Sequence, residues 1–121
     1  MGARSERGQS TVEFALLLPL LFALLVLLFE VTLVARDELL VVHAARDAAR
    51  QAAVANDPQA TRGAAARTLP DARVRVLSRG TVGEPVRVEV TYVSRTDLPL
   101  IGALLPDVTL HATATMRVER P

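Results

Sequence analysis

The sequence of 121 residues contains no cysteine, no tryptophan and no lysine, and only 3% of its residues are aromatic. The absence of cysteine excludes a disulfide scaffold, a thiolate metal site and a cysteine nucleophile. The four aromatic residues are too few for a platform on which nucleic-acid bases stack. The formal net charge is only +1, so the chain has no large excess of basic residues of the kind that nucleic-acid binding requires. We therefore expect no nucleic-acid partner.

Candidate catalytic residues are equally scarce. His43 and His111 are the two histidines, and neither has neighbours at a metal-ligand spacing. The hydroxyls of Thr109, Thr113 and Thr115 lie in an alternating pattern that favours a strand over a nucleophile. The glycines are too scattered for a phosphate-binding loop. The sequence therefore predicts no enzymatic activity, no cofactor and no metal.

Hydrophobic residues make up 50% of the chain, and they are concentrated near its N-terminus. Every residue from 14 to 29 is apolar, Glu30 interrupts the run, and it resumes as far as Ala35. Residues 14–35 would form a helix of roughly 33 Å, which matches the hydrocarbon core of a bilayer. The competing interpretation, a cleaved secretory signal, has a shorter apolar region of about 7–15 residues and a small-residue cleavage site. Length and the charged residues 36–38 that follow favour a membrane anchor.

The charges that flank the apolar run indicate its orientation. Arg4 and Arg7 outnumber Glu6 before the run. A short N-terminus with a positive excess tends to remain in the cytoplasm. We expect a single-pass inner-membrane protein with a cytoplasmic N-terminus and an extracytoplasmic C-terminal domain.

Two carboxylates lie near the ends of the run, Glu13 and Glu30. Carboxylates within a membrane are costly and are commonly functional. Glu30 is thus a candidate for an intramembrane polar contact, although its place near the end of the run favours contact with headgroups or water. Glu13 is part of a longer motif.

That motif, residues 7–14, reads Arg-Gly-Gln-Ser-Thr-Val-Glu-Phe and leads directly into the apolar run. It resembles the processing site of type IV prepilins and, more closely, the TadE-like family of minor pilins or pseudopilins from tight-adherence (Flp-type, or Tad) pilus systems. The run Gln-Ser-Thr-Val-Glu-Phe-Ala-Leu of that family is present at 9–16, and its Leu-Pro-Leu at 18–20. A looser resemblance extends over 44–50 and 86–119.

The resemblance implies that a prepilin peptidase cuts between Gly8 and Gln9 and discards residues 1–8. Glu13 then becomes the fifth residue of the mature chain and, with Phe14, serves subunit assembly. Positions 9 and 13 share a helix face, and the resemblance implies that Glu13 of one subunit neutralises the new amine of Gln9 on a neighbour. The implied partners are other pilin or pseudopilin subunits, the Tad inner-membrane assembly machinery and the lipid bilayer. The alternative is an uncleaved single-pass anchor whose outer domain binds another envelope protein.

The remaining sequence predicts a small α+β domain. The alanine-rich segment 36–55 continues the helical pattern of the anchor, so we expect one helix from about Ser10 to Ala55. Asn56 suits the end of that helix, and Asp57-Pro58 suits the start of a second one at about 58–68.

Three later runs alternate with a period of two, at 73–76, 86–92 and 110–118, and a turn at 80–85 joins the first two. The predicted fold is pilin-like, with a long transmembrane and stalk helix, a short second helix and a three-stranded antiparallel sheet packed on the stalk. Its predicted parts are the leader 1–8, the transmembrane helix 9–35, the stalk 36–55 and the outer domain 56–121. The apolar residues of the loop 98–105 are either a lid on the core or a subunit interface.

Overall fold

The computed structural model describes the backbone of residues 3–95, 102 and 106–121, and the side chains of those residues from Gly8 onward. The elements in chain order are α1 (Ala3–Val54), α2 (Pro58–Thr68), β1 (Arg73–Arg79), β2 (Pro85–Ser94) and β3 (Val108–Arg117). The chain divides into two compact units, Met1–Leu33 and Val34–Pro121. The predicted α+β layout is confirmed. The prediction for the apolar loop 98–105 falls outside the described residues.

The first unit consists of the N-terminal part of α1. This helix begins at Ala3, well before the predicted start near Ser10. Alanine, arginine, glutamate and glutamine are good helix formers, and no proline interrupts residues 3–9. Pro19 lies inside the helix, where its missing N–H removes one backbone hydrogen bond. Such a proline is tolerated in membrane helices.

The second unit has one hydrophobic core between the alanine-rich part of α1 and one face of the sheet. The α1 side of this core contains small side chains, at Val41, Ala44, Ala45, Ala48, Ala49, Ala52 and Ala53. Val86, Val88 and Val90 of β2 are fully buried against them. The short alanine side chains of α1 and the valines of β2 therefore belong to one cluster of buried side chains. The predicted packing of sheet on stalk is confirmed.

Helix α2 begins and ends where the sequence predicted. The Asp57 carboxylate accepts a hydrogen bond from the backbone N–H of Gln59 at 2.8 Å, and Pro58 is the first helical residue. Both are favoured at helix N-termini. Thr61, Ala64 and Ala65 form the buried side of α2.

The three strands form an antiparallel sheet in the order β1-β2-β3. The predicted alternation holds on β2 and β3, but β1 contains an irregularity between Val76 and Ser78. Val76 is still aligned with the buried Val88 but is 40% exposed. The register therefore confirms the predicted alternation of residues 73–76, and the irregularity that follows, a bulge, shifts the alternation by one residue over the last part of β1.

The bulge has a consequence for Arg79. With the shifted alternation Arg79 is aligned with Val86, whose side chain faces the core. Its guanidinium donates one hydrogen bond to the carbonyl of Ala52 and another to the carbonyl of Arg120 at 2.8 Å. The backbone N–H of Glu119 donates to the carbonyl of Ala53 at 2.8 Å. Arg79 and the C-terminal tail thus provide partners for carbonyls in the last turn of α1.

The β1–β2 turn contains a local carboxylate cap. The Glu84 carboxylate accepts hydrogen bonds from the backbone N–H of Thr81 at 2.7 Å and from the Thr81 hydroxyl at 3.0 Å. The backbone bond first, and then the hydroxyl bond, lower the pKa of Glu84 below its ordinary value. This contribution to turn stability is complete above the ordinary carboxyl pKa and is lost as pH falls through the lowered pKa. Gly83 supplies the φ of +93° that the turn needs.

Candidate functional site

The predicted processing site lies within the first unit, near the start of α1. Gly8 and Gln9 are both helical and exposed. A Cβ atom built on Gly8 has no neighbouring heavy atom within 4 Å. The space around Gly8 is therefore open to a side chain, and nothing in the fold of the described residues requires glycine there.

Gln9 and Glu13 are brought together as the four-residue spacing predicted. The side-chain amide Nε2 of Gln9 donates a hydrogen bond to Oε1 of Glu13 at 3.2 Å. Both residues are exposed. The Glu13 carboxylate is therefore within reach of a donor at position 9 and also faces the surroundings of the helix, as a contact with another chain would require.

Apolar side chains follow the site without interruption. Phe14 is 67% exposed. Twelve more large apolar residues are exposed between it and Val31, namely Leu16, Leu17, Leu18, Leu20, Leu21, Phe22, Leu24, Leu25, Leu27, Leu28, Phe29 and Val31 itself. Among the described residues one helix, Gly8–Val54, is long and apolar enough to cross a membrane, and its most apolar window is not buried within the chain. A soluble protein does not expose an apolar surface of this extent. One such N-terminal helix suggests a single-pass membrane protein.

Glu30 differs from its neighbours and from the expectation that headgroups or water contact it. It is only 5% exposed. Its Oε1 atom is buried and has no hydrogen-bond partner among the residues that the structure describes. A buried acceptor without a partner costs about 1–3 kcal/mol. The position of Glu30 near the end of the apolar run suggested an accessible carboxylate. Its burial was not predictable, because burial depends on packing that the sequence position does not encode.

The two histidines occupy exposed positions, His43 on α1 and His111 on β3. Within the described ranges, no group of three or more His, Cys, Asp or Glu side chains has a geometry that could hold a metal ion.

Sequence reasoning missed one polar contact that positions α1 on the sheet. The hydroxyl of Ser94, at the end of β2, donates a hydrogen bond to Oδ2 of Asp37 at 2.6 Å. Ser94 is buried and continues the inward alternation of Val86, Val88 and Val90. The signal that could have predicted this contact is the hydroxyl of Ser94 at an inward strand position, because a buried hydroxyl needs a hydrogen-bond partner.

Comparison with known proteins gives one match. No curated protein and no solved structure matches the chain. The model of one family, described as TadE-like protein, matches residues 8–50. The matched range begins at Gly8, includes Glu13 and the apolar run, and ends in the alanine-rich part of α1. Over residues 8–50, a little more than a third of the chain, the sequence is similar to the TadE-like family, as the glycine, the glutamate and the apolar run predicted. This similarity suggests a membrane protein associated with Tad pili.

Proposed function

We propose that the chain is a minor pilin or pseudopilin, a membrane-anchored structural subunit for assembly of a type IV pilus of the Tad (Flp) class. The observation that carries the proposal is the motif at residues 8–14, where an exposed glycine and a bonded Gln9–Glu13 pair lead into an apolar helix with exposed side chains. A permanent anchor needs none of these three features in this order. The TadE-like match over residues 8–50 supports the same interpretation.

The proposed layout assigns a role to each part of the chain. Residues 1–8 are the leader, which prepilin peptidase removes by cutting between Gly8 and Gln9. Residues 9–35 cross the inner membrane, with the N-terminus in the cytoplasm. Residues 36–55 are the stalk, and residues 56–121 form the extracytoplasmic domain. The subunit remains in the membrane until the Tad machinery incorporates it with other pilin or pseudopilin subunits.

Cleavage in this proposal changes the chemistry of position 9. The reaction is hydrolysis of the Gly8–Gln9 amide, which leaves a carboxylate on Gly8 and an α-amine on Gln9. An amine at the edge of the hydrocarbon is unfavourable unless a negative charge is near. Glu13 is exposed and already bonds the Gln9 side chain, so its carboxylate is available to the amine of its own chain or of a neighbour. Phe14 follows Glu13 directly and, in this proposal, packs against the helix of the neighbouring subunit.

Replacement of Glu13 by alanine is expected to preserve processing and prevent assembly. Because Glu13 is exposed, the change leaves no cavity in the fold. Its loss leaves the Gln9 amine without a counter-charge, and incorporation into pili falls about tenfold or more, the equivalent of ~1.4 kcal/mol. The measurement compares the processed subunit in membranes with the amount in sheared surface pili.

The matched control is Glu38→Ala, which removes an exposed glutamate of the same helix outside the apolar run and is expected to assemble normally. If Glu13→Ala instead stops processing, Glu13 serves the peptidase and its assembly role is wrong.

Glu30 is a second proposed contact in the membrane-embedded assembly. Its buried Oε1 has no partner among the described residues, so in this proposal assembly rearranges the packing around Glu30 and a donor of a neighbouring subunit then stabilises it. Glu30→Leu is expected to leave the amount of processed chain unchanged and to reduce incorporation into pili. Glu30→Gln, which keeps an acceptor oxygen of similar size, is expected to retain most of it. Normal assembly of Glu30→Leu contradicts the proposed contact.

A further inference from the structure

The face of the sheet that points away from α1 brings together four arginines that are far apart in sequence. Arg73 and Arg75 lie on β1, Arg87 on β2 and Arg117 on β3, and all four are exposed. We call this surface, formed by Arg73, Arg75, Arg87 and Arg117, the basic face. The strand register places it on a single side of the sheet, opposite the buried valines of β2.

The charge of the basic face is segregated from the rest of the second unit. Residues 34–121 contain twelve arginines and ten acidic residues, a net charge of +2. The basic face contains four of those arginines, and Glu89 is the acidic residue that the register places among them. The basic face and Glu89 together have a net charge of +3, and the remaining residues of the unit have a net charge of −1. A nearly neutral composition conceals this asymmetry.

The arginines of the basic face are close enough to repel one another. Residues two apart on a strand are separated by about 6.6 Å, and adjacent strands by about 4.8 Å. Glu89 lies directly opposite Arg75 and compensates one of the four charges. No two of the four arginines are directly opposite each other in the register, so their mutual repulsion is weaker than that of a directly opposed pair. Unlike Arg79, whose guanidinium is bonded to two carbonyls, these side chains extend from an exposed surface.

We propose that the basic face is a docking surface for an acidic surface of a partner protein. Arginine is enriched in protein interfaces and binds carboxylates through two parallel hydrogen bonds. The side chains of His111, Thr113 and Thr115 on β3 lie on the same side of the sheet and provide hydrogen-bonding groups among the arginines. Glu89 lies among these arginines and can accept hydrogen bonds from a protein surface that carries donor groups between its carboxylates. The same carboxylate would repel a uniformly anionic lipid layer, so the face favours a protein partner over a membrane. The docking surface lies outside residues 8–50 and does not depend on processing at Gly8.

A defined acidic probe tests the basic face. The full chain is reconstituted in nanodiscs of zwitterionic lipid and titrated with a dye-labelled glutamate–serine repeat peptide at low ionic strength. Replacement of all four arginines of the face by glutamine is expected to weaken binding about tenfold or more. The control replaces four exposed helical arginines, Arg46, Arg50, Arg62 and Arg67, and removes the same total charge. It is expected to weaken binding less than about twofold, and wild-type binding decreases with salt.

Three outcomes overturn the proposal. If both quadruple variants lose affinity equally, the peptide responds to net charge and not to this surface. If the nanodiscs bind phosphatidylglycerol vesicles but not the peptide, the face recognises lipid headgroups. If wild type binds neither probe, the face is not a docking surface. The double variant Arg75→Gln/Arg87→Gln, expected to lose an intermediate amount of affinity, serves as the second variant if the quadruple one does not fold.

Discussion

Replacement of Gly8 by leucine is expected to leave the chain unprocessed, with no detectable product that begins at Gln9. The peptide bond to be cut lies within α1, so the helix must unwind locally before a peptidase can hold the segment in an extended conformation. Glycine is about 1 kcal/mol less favourable than alanine in a helix interior, which lowers the cost of unwinding. A leucine both stabilises the helix and adds bulk beside the scissile bond. Immunoblotting of membrane fractions measures the ratio of precursor to product.

The structure provides a matched control for this change. Gly63 of α2 is also helical and exposed, and a Cβ atom built on it has no heavy-atom neighbour within 4 Å. Gly63→Leu is therefore expected to be processed as wild type. Because the space at Gly8 is equally open, a block at Gly8→Leu reflects the peptidase and not misfolding. Full maturation of Gly8→Leu excludes cleavage at this bond.

The second large effect is on stability. Arg79→Met is expected to destabilise the second unit by about 2–3 kcal/mol, because it removes two charge-assisted hydrogen bonds from the end of α1 and from the C-terminal tail. The positive charge also interacts favourably with the C-terminal end of the helix dipole. For a unit of this size, a loss of 2–3 kcal/mol corresponds to a decrease in Tm on the order of 10–20 °C.

The composition of the chain makes this effect measurable in the intact protein. There is no tryptophan and one tyrosine, Tyr92, which packs against the core of the second unit. Its fluorescence during thermal unfolding therefore reports that unit without interference from the membrane helix. The control Arg62→Met removes an exposed arginine from α2 and is expected to change stability by less than about 0.5 kcal/mol. An equally small effect of Arg79→Met refutes the role of Arg79 in fixing the end of α1.

The sequence predicted the elements of this fold well, because each has a strong local signal. The apolar run predicted the anchor helix, Asp57-Pro58 predicted the start of α2, and alternation on β2 predicted its buried side. The bulge between Val76 and Ser78 has only a weak signal, because the alternation breaks at the adjacent apolar residues Val76 and Leu77, and the end of a strand gives the same pattern. Without the bulge, the inward orientation of Arg79 was not predictable.

In the candidate functional site and on the basic face, too, features with a local sequence signal were predictable and features that depend on tertiary packing were not. The spacing of Gln9 and Glu13 predicted their contact, because residues four apart on a helix always share a face. The burial of Glu30 and the assembly of the basic face from three strands depend on tertiary packing and strand register. Neither is encoded in a local pattern, so the sequence indicated a carboxylate accessible to water and arginines dispersed over solvated surfaces.

The most direct measurement is mass spectrometry of the N-terminal peptide of the protein purified from the membranes of native cells. We expect a mature chain that begins at Gln9, with or without methylation of its amine. A chain that still begins at residue 1 or 2 rules out processing between Gly8 and Gln9 and leaves the uncleaved anchor, whose outer domain binds another envelope protein.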